Sequence, residues 1–181
     1  MHAKHIAAES AAASDVTGFA GSETLATSDV TGSPSVTTAA TNTSNAGTYP
    51  ITAALGTLAS NNYSFSFVAG TLTINKVQLA INAANQTKTY GQSDPTPTYS
   101  LSGFKLSQTE AGLRTATTLS GSPSCSYASH SENADTYLDV ITCAPGSLTA
   151  TNYTFATGTK GDLTIARANS SVAITWTGSI Y

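Results

Sequence analysis

Charged side chains are scarce in this sequence. Asp, Glu, Lys and Arg make up 9% of its 181 residues, where a typical soluble domain carries about 25%. Seven Lys and Arg residues and a formal net charge of −3 exclude a nucleic-acid partner, because phosphate binding needs a dense basic footprint. No run of 18 apolar residues occurs, so neither a membrane-spanning helix nor membrane insertion by this stretch is expected. The opening Met1 to Lys4 is followed by a run that Glu9 interrupts, so no signal peptide is recognisable. Histidine occurs three times, and Met and Trp once each. Glycine-rich phosphate loops and zinc-type ligand spacings are missing. Catalysis needs a nucleophile beside a base, paired carboxylates or a metal cluster. The sequence assembles none of these, so no enzymatic activity, metal or cofactor is expected.

Hydroxyl groups are what it has in excess. Its 31 Thr and 24 Ser account for about 30% of the chain. A hydrophobic content of 40% is too high for plain disorder. The length suits one ordinary domain or two small ones.

The chain also repeats itself. Gly32-Ser33-Pro34-Ser35 returns as Gly121-Ser122-Pro123-Ser124, and Ala46-Gly47-Thr48-Tyr49 as Ala134-Asp135-Thr136-Tyr137. Asn62-Tyr63-Ser64-Phe65 returns as Asn152-Tyr153-Thr154-Phe155, and Gly70-Thr71-Leu72-Thr73-Ile74 as Gly161-Asp162-Leu163-Thr164-Ile165. Gly18-Phe19 matches Gly103-Phe104. Five landmarks keep their order, and the small drift in offset places insertions in loops, where they cost little. The frame that follows has four parts. Residues 1–17 are a poorly ordered N-terminal fragment. Residues 18–76 are a unit without its first strands, and 77–167 a complete unit. Residues 168–181 are the first strand of a further unit. Both ends read as cuts, so the chain is expected to be an internal fragment of a longer protein.

Within each unit the pattern is that of strands. Residues 63–67 alternate aromatic and small polar side chains. Val77, Leu79 and Ile81 alternate with Gln78, Ala80 and Asn82. Tyr137-Leu138-Asp139-Val140-Ile141 reads as a further apolar strand, and Ser170 onward as a strand that ends without a partner. Threonine, stiff at χ1, suits such pleated surfaces. Turn signals such as Tyr90-Gly91, Asp94-Pro95 and Pro145-Gly146 separate the runs. The only helix-like run is 7–13. The expected fold is all-β, of tandem Ig-like small β-sandwich modules, with another elongated small β-domain as the alternative.

The complete unit carries Lys88-Thr89-Tyr90-Gly91-Gln92, Asp94-Pro95, Thr98-Tyr99-Ser100-Leu101-Ser102-Gly103, Leu119-Ser120-Gly121-Ser122-Pro123, Thr151-Asn152-Tyr153 and Gly161-Asp162-Leu163-Thr164-Ile165. That order resembles the MBG domain of the Tyr-Gly-X type, over roughly residues 18–181. The resemblance implies a mostly-β tandem repeat of bacterial secreted and cell-surface, adhesin-like proteins. It implies an extracellular or cell-surface location, with the export signal outside this stretch. Tyr90, Gly91, Tyr49, Tyr137, Tyr63 and Tyr153 are its structural motif residues. The sequence departs from the family pattern at Asp135, where Gly usually precedes Thr-Tyr, and in its pair of cysteines.

Cys125 and Cys143 lie 18 residues apart, and the intervening Ser129 to Asp135 is polar and turn-like. If their strands pair as a hairpin, the thiols meet across it. A disulfide is the expected state, worth about 3 kcal/mol in the chain-entropy account, and two buried thiols are the alternative. The first unit places Val36 near the Cys125 position and Leu55 near that of Cys143. Both are apolar, as inward-facing sites require.

The remaining candidates for chemistry are few. His130 lies in a serine-rich loop and reads as a solvated residue rather than a triad member. Glu132, Asn133, Asp135 and Asp139 offer oxygens to calcium, but at no standard spacing. The first unit has Ser44, Asn45, Gly47 and Ile51 in those places. Lys76 and Lys88 are the lysines near core strands that an isopeptide bond to an acid would use, although lysine is rarely buried. The recurrent tyrosines read as core and corner residues with their hydroxyls bonded to loops; a sugar-binding platform is the sharper alternative. The expected function is a non-catalytic stalk segment of an adhesin-like protein, partnered by neighbouring repeats of the same chain. One alternative is a module binding a host or matrix glycan or protein through exposed loops such as 126–135. Another is an accessory module of a secreted enzyme.

Overall fold

The computed structural model describes residues 15–178. The helix-like run 7–13, His2, His5 and Tyr181 lie outside the described residues. The chain divides into two units, Met1–Asn75 and Lys76–Tyr181.

In the first unit the Thr-rich alternation forms β1 (Ser35–Thr38), β2 (Gly47–Ala54) and β3 (Gly70–Ile74). They make an antiparallel sheet in the order β1-β2-β3. Val30 and Leu58 are its buried apolar residues. An isolated bridge pairs Thr31 with Ala59 beside them.

The second unit is larger. Its strands are β4 (Val77–Ala83), β5 (Gln86–Thr89), β6 (Tyr99–Ser102), β7 (Leu119–Ser120), β8 (Ser124–Tyr127), β9 (Thr136–Ala144), β10 (Thr149–Ala150), β11 (Tyr153–Thr157) and β12 (Gly161–Ala166). They form a three-stranded sheet β11-β4-β6, a four-stranded sheet β5-β12-β9-β8 and the pair β10-β7. Period-two burial follows the sequence: Leu79, Ile81 and Ala83 of β4 and Leu163 and Ile165 of β12 point inward. With Ile141, Cys143 and Tyr153 they build the core.

Two bent strand runs organise this unit. β4 and β5 are separated by only Ala84 and Asn85, and β11 and β12 by residues 158–160. The runs lie side by side and parallel, β11 on β4 in one sheet and β12 on β5 in the other. Both pass between sheets at the same level. A bend strips amides of ladder partners, and buried amides need replacements. Asn82 Oδ1 accepts from the Thr159 amide at 3.0 Å, and Asn85 Oδ1 from the Asp162 amide at 2.8 Å. Gly161 fits the bend because a Cβ there would lie 2.6 Å from the Ala84 carbonyl oxygen.

Cys125 and Cys143 are directly opposite on β8 and β9 and form a disulfide. Ala128 donates to the Val140 carbonyl at 2.7 Å. By alternation the cysteine pair is then of the non-hydrogen-bonded kind, where facing side chains are closest. The counterpart of this pair in the first unit is Val36 opposite Ala53. Leu55, expected at the Cys143 position, is 49% exposed. The repeat's drifting offset misplaced it by two residues, which preserves side-chain parity and so hid the slip.

Three further expectations are corrected. Residues 63–67 form no ladder in the first unit. Their counterpart β11 pairs only with β4, and the described part of the first unit has no equivalent of β4. Residues 170–178 likewise form no strand. Within β9, Asp139 adopts φ 57° and the register against β12 shifts. Tyr137 to Ile141 spans four positions where Leu163 to Gly161 spans two, so parity is kept, and in the run expected to be apolar Leu138, on the face opposite Ile141 and Cys143, is 70% exposed. A short helix, α1 (Glu110–Thr115), was not expected. Thr109 caps it, accepting from the Gly112 amide at 3.1 Å, and Glu110 pairs with Arg114. Six residues with one buried side chain, Leu113, are too few for a helical period to register. Only the cap and the Glu–Arg spacing signalled it.

One turn is built twice. In the first unit Thr57 donates its amide to the Ser33 carbonyl at 2.9 Å, and its hydroxyl accepts from the Ser33 amide at 3.0 Å. In the second, Ser147 and Ser122 do the same at 3.0 and 3.1 Å. Each clasp needs a left-handed glycine, Gly56 at φ 57° and Gly146 at φ 56°. A Cβ on Gly146 would sit 2.6 Å from the Ser122 carbonyl oxygen, whereas one on Gly91, also left-handed, meets nothing. Gly91→Ala is therefore expected to cost about 1–2 kcal/mol, the left-handed penalty alone. Gly146→Ala should cost more, because the clasp must also open. Urea midpoints of the two variants check the order.

Candidate functional site

The described residues place one concentrated group of charges, at the far end of β5. Lys88 belongs to the inward face of that strand, and its side chain is 3% exposed. A buried ammonium must be paired. The Tyr-Gly motif supplies the first partner. Gln92 donates to the Thr89 carbonyl at 3.0 Å and Gly91 sits third in the turn at φ 86°, a position that requires a positive φ in a type II turn. The reversal returns Asp94 to Lys88, Oδ1 to Nζ at 2.7 Å. The β8–β9 hairpin tip supplies the second partner, Glu132 Oε2 at 2.5 Å. From the same tip His130 reaches Asp94 Oδ2 at 3.1 Å, and its Nδ1 lies 3.0 Å from the Ser131 carbonyl. Tyr127 and Tyr137 flank the imidazole with ring centroids at 5.8 and 5.5 Å. Tyr127 also donates to the Pro95 carbonyl at 3.0 Å.

The titration of the group follows from these contacts. The Lys88 ammonium bonded to Asp94 holds its carboxyl below the usual range, and burial opposes this only in part. Lys88 is raised by its hydrogen bonds to Asp94 and Glu132. His130 is raised by the Ser131 carbonyl first and by Asp94 after it. Both ring nitrogens face acceptors, so the imidazolium is the form that fits. At neutral pH Lys88 and Asp94 are both ionised. Amide condensation between them needs the neutral amine and the neutral acid, so the cluster stands as an ion pair. Asp94, His130 and Glu132 lie close enough to share a cation, but the Lys88 ammonium already bonds both carboxylates.

The other residues singled out by sequence are dispersed. Tyr90 is 53% exposed. Its part in the turn is made by backbone, an amide bonded to the Ala166 carbonyl at 2.8 Å. Tyr49 and Tyr137 donate to the carbonyls four residues earlier, Asn45 and Asn133, at 2.8 and 2.9 Å. Tyr63 stacks edge-on with Phe19 and donates to Glu23. Tyr153 does the same with Phe104 and Gln108. The proposed calcium oxygens do not converge. Asp135 Oδ1 accepts from the Thr136 amide, while the Asp139 amide donates to Asp162. Lys76 bonds the Ala150 carbonyl at 2.8 Å. His130, expected to be solvated, has a side chain only 5% exposed. Asp94 entered the sequence reading only as a turn marker. The missed signal was joint occurrence: the first unit has Ser44 where the second has Glu132, and no lysine between Lys4 and Lys76.

A family model described as MBG domain (YGX type) matches the chain twice, over residues 6–73 and 79–164. No curated protein and no solved structure matches it.

The charge cluster predicts a stability window. Asp94, with its lowered pKa, contributes stability above about pH 3.9 that is lost as pH falls through the depressed value. His130, with its raised pKa, contributes fully below about pH 6.5 and loses that contribution as pH rises through the raised value. Stability of the second unit should therefore be greatest between about pH 4 and 6.5. In His130→Gln the decline above pH 6.5 should disappear while the acid limb remains. Asp94→Ala should lower the urea midpoint more than Glu132→Ala, because Asp94 holds both Lys88 and His130 and Glu132 is 61% exposed. Urea titrations across pH 3–9 check both statements.

Proposed function

The chain belongs to the MBG domain family of the YGX type, a family whose members occur in extracellular and cell-surface proteins, and from that premise we propose that it is a load-bearing spacer. On this reading it is a non-catalytic series of repeat units in a bacterial cell-surface or secreted, adhesin-like protein, partnered by neighbouring repeats. The observation that carries the reading is the pair of parallel bent runs. The second unit begins at β4 and its last strand is β12. Because β4–β5 and β11–β12 are parallel, the entry at Val77 and the exit at Ala166 fall at opposite ends of the paired runs, one in each sheet. Thirteen residues at about 3.3 Å separate those ends by up to about 43 Å. Tension applied through the chain pulls the two runs past each other, so their hydrogen bonds are loaded together rather than opened one at a time. A module that binds or reacts has no need of that polarity.

Other features support the same reading. The clasp, the corner tyrosines and the Phe–Tyr pair recur in both units, whereas among the described residues the charge cluster is found in the second. What is repeated is scaffold. A disulfide within a short hairpin suits an oxidising, exported setting.

Single-molecule stretching tests the proposal. The second unit should resist as one force peak. The disulfide withholds 18 residues, so reduction should lengthen the released contour by about 6 nm at about 3.4 Å per residue. A unit that extends without a force peak would sink the spacer reading.

A further inference from the structure

The β8–β9 hairpin carries its tip, residues 129–135, beyond the last ladder pair. The tip backbone is joined to the unit at its margins, where Ala128 donates to Val140 and Asp135 accepts from Ile165 at 2.8 Å. Between those margins, among the described residues, no backbone hydrogen bond ties it to another element. Two side chains hold it down instead, His130 on Asp94 and Glu132 on Lys88. The matching loop of the first unit, residues 39–46, contains no charge. It closes through hydroxyls: the Thr41 amide donates to Ser44 Oγ at 2.8 Å and the Ser44 amide to the Thr41 carbonyl at 3.1 Å. A hairpin in this place therefore does not require an ionic tip.

The four charged groups balance in one protonation state only. Lys88 and the His130 imidazolium offset Asp94 and Glu132. Loss of the imidazolium proton leaves one net negative charge around two side chains that are 3% and 5% exposed, Lys88 and His130, where uncompensated charge is costly. It also turns one ring nitrogen from a donor into a lone pair, facing either Asp94 Oδ2 or the Ser131 carbonyl, both of them acceptors. The phenols against the ring do not compensate. Tyr127 and Tyr137 direct their hydroxyl protons to the Pro95 and Asn133 carbonyls and are uncharged near neutral pH.

The geometry also confines any release to the tip. When His130 and Glu132 leave, Lys88 keeps Asp94 at 2.7 Å and the Tyr127 hydroxyl keeps the Pro95 carbonyl, so no buried ammonium is orphaned. Toward the base, the Cys125–Cys143 bridge pins the ladder. We propose that residues 129–135 form a pH-gated latch, closed onto the Tyr-Gly turn while His130 is an imidazolium and open once it is neutral, with the rest of the unit folded in both states. The closed tip binds the proton more tightly than the open one, so rising pH shifts the population toward the open form. The latch needs neither load nor a neighbouring repeat, and so stands apart from the spacer role.

Amide hydrogen exchange of the full chain, followed by NMR and corrected for intrinsic rates, tests this. Between about pH 5.5 and 8.5, protection of the Ile165 amide should fall at least about threefold. The Ala83 amide, bonded to the Thr159 carbonyl at 2.9 Å, should keep its protection. The midpoint of the step should coincide with the titration of the His130 ring proton in the same sample. In His130→Gln the step should vanish, and in Asp94→Asn it should move to lower pH. Ile165 protection that stays flat in wild type, or falls equally at Ala83, overturns the proposal. So does a step that misses the His130 titration or persists in His130→Gln.

Discussion

The parallel pairing of two bent runs is the constraint from which the second unit follows. A parallel pair cannot be closed by a tight turn, so a long crossover must join its members. Everything between Thr89 and Tyr153 is that crossover, and it supplies β6, α1, β7, β8, β9 and β10. The bends in the two runs then decide where those elements go. Before the bend they flank β4 or cover the core beside it; beyond it they flank β12. The two asparagines and Gly161 are small features, yet without them the runs could not change sheets together. The first unit shows the contrast. Its described part has the β1-β2-β3 sheet and the clasp but no parallel neighbour for residues 63–67. Its buried apolar residues are correspondingly few.

The charge cluster is subordinate to this scaffold. Lys88 lies at the end of the run, where β5 leaves the core for the Tyr-Gly turn. Its ammonium ties that turn to the β8–β9 hairpin tip, with His130 wedged between two tyrosine rings. The sealed disulfide pair lies on the same hairpin, toward its base. One hairpin is thus held at its base by a covalent bond and at its tip by ionic ones. This accounts for a buried lysine without any appeal to reactivity.

Much of this was legible in the sequence because repetition made it so. The doubled Gly-Ser-Pro-Ser and Asn-x-x-Phe landmarks located strands and turns, and period-two alternation gave the inward faces of β4 and β12. The cysteine pair could be placed on one hairpin from its spacing and turn signals. What escaped had physical reasons. The Asp139 bulge adds two residues to β9 against β12 without any mark in composition. The ladder of residues 63–67 was expected from local pattern, yet a strand exists only where a neighbour does. Six residues of α1 are shorter than two turns. The Lys88 cluster unites positions 6 and 44 residues apart in sequence, and nothing local joins Asp94 to Glu132. The polarity of β4 against β11 had no local mark at all, because parallel and antiparallel strands share the same alternation.

The doubled clasp has a consequence for where such a chain can work. Its bonds join hydroxyls, amides and carbonyls, and no ion takes part. Dissolved salt screens charge pairs over a distance of about 8–10 Å at ordinary ionic strengths, but it has no purchase on neutral hydrogen bonds of this kind. With 9% charged residues, little else in the scaffold depends on ionic strength. The turns that define the units should keep their shape from fresh water to brine, leaving the cluster at Lys88 and the Glu110–Arg114 pair to register the surroundings.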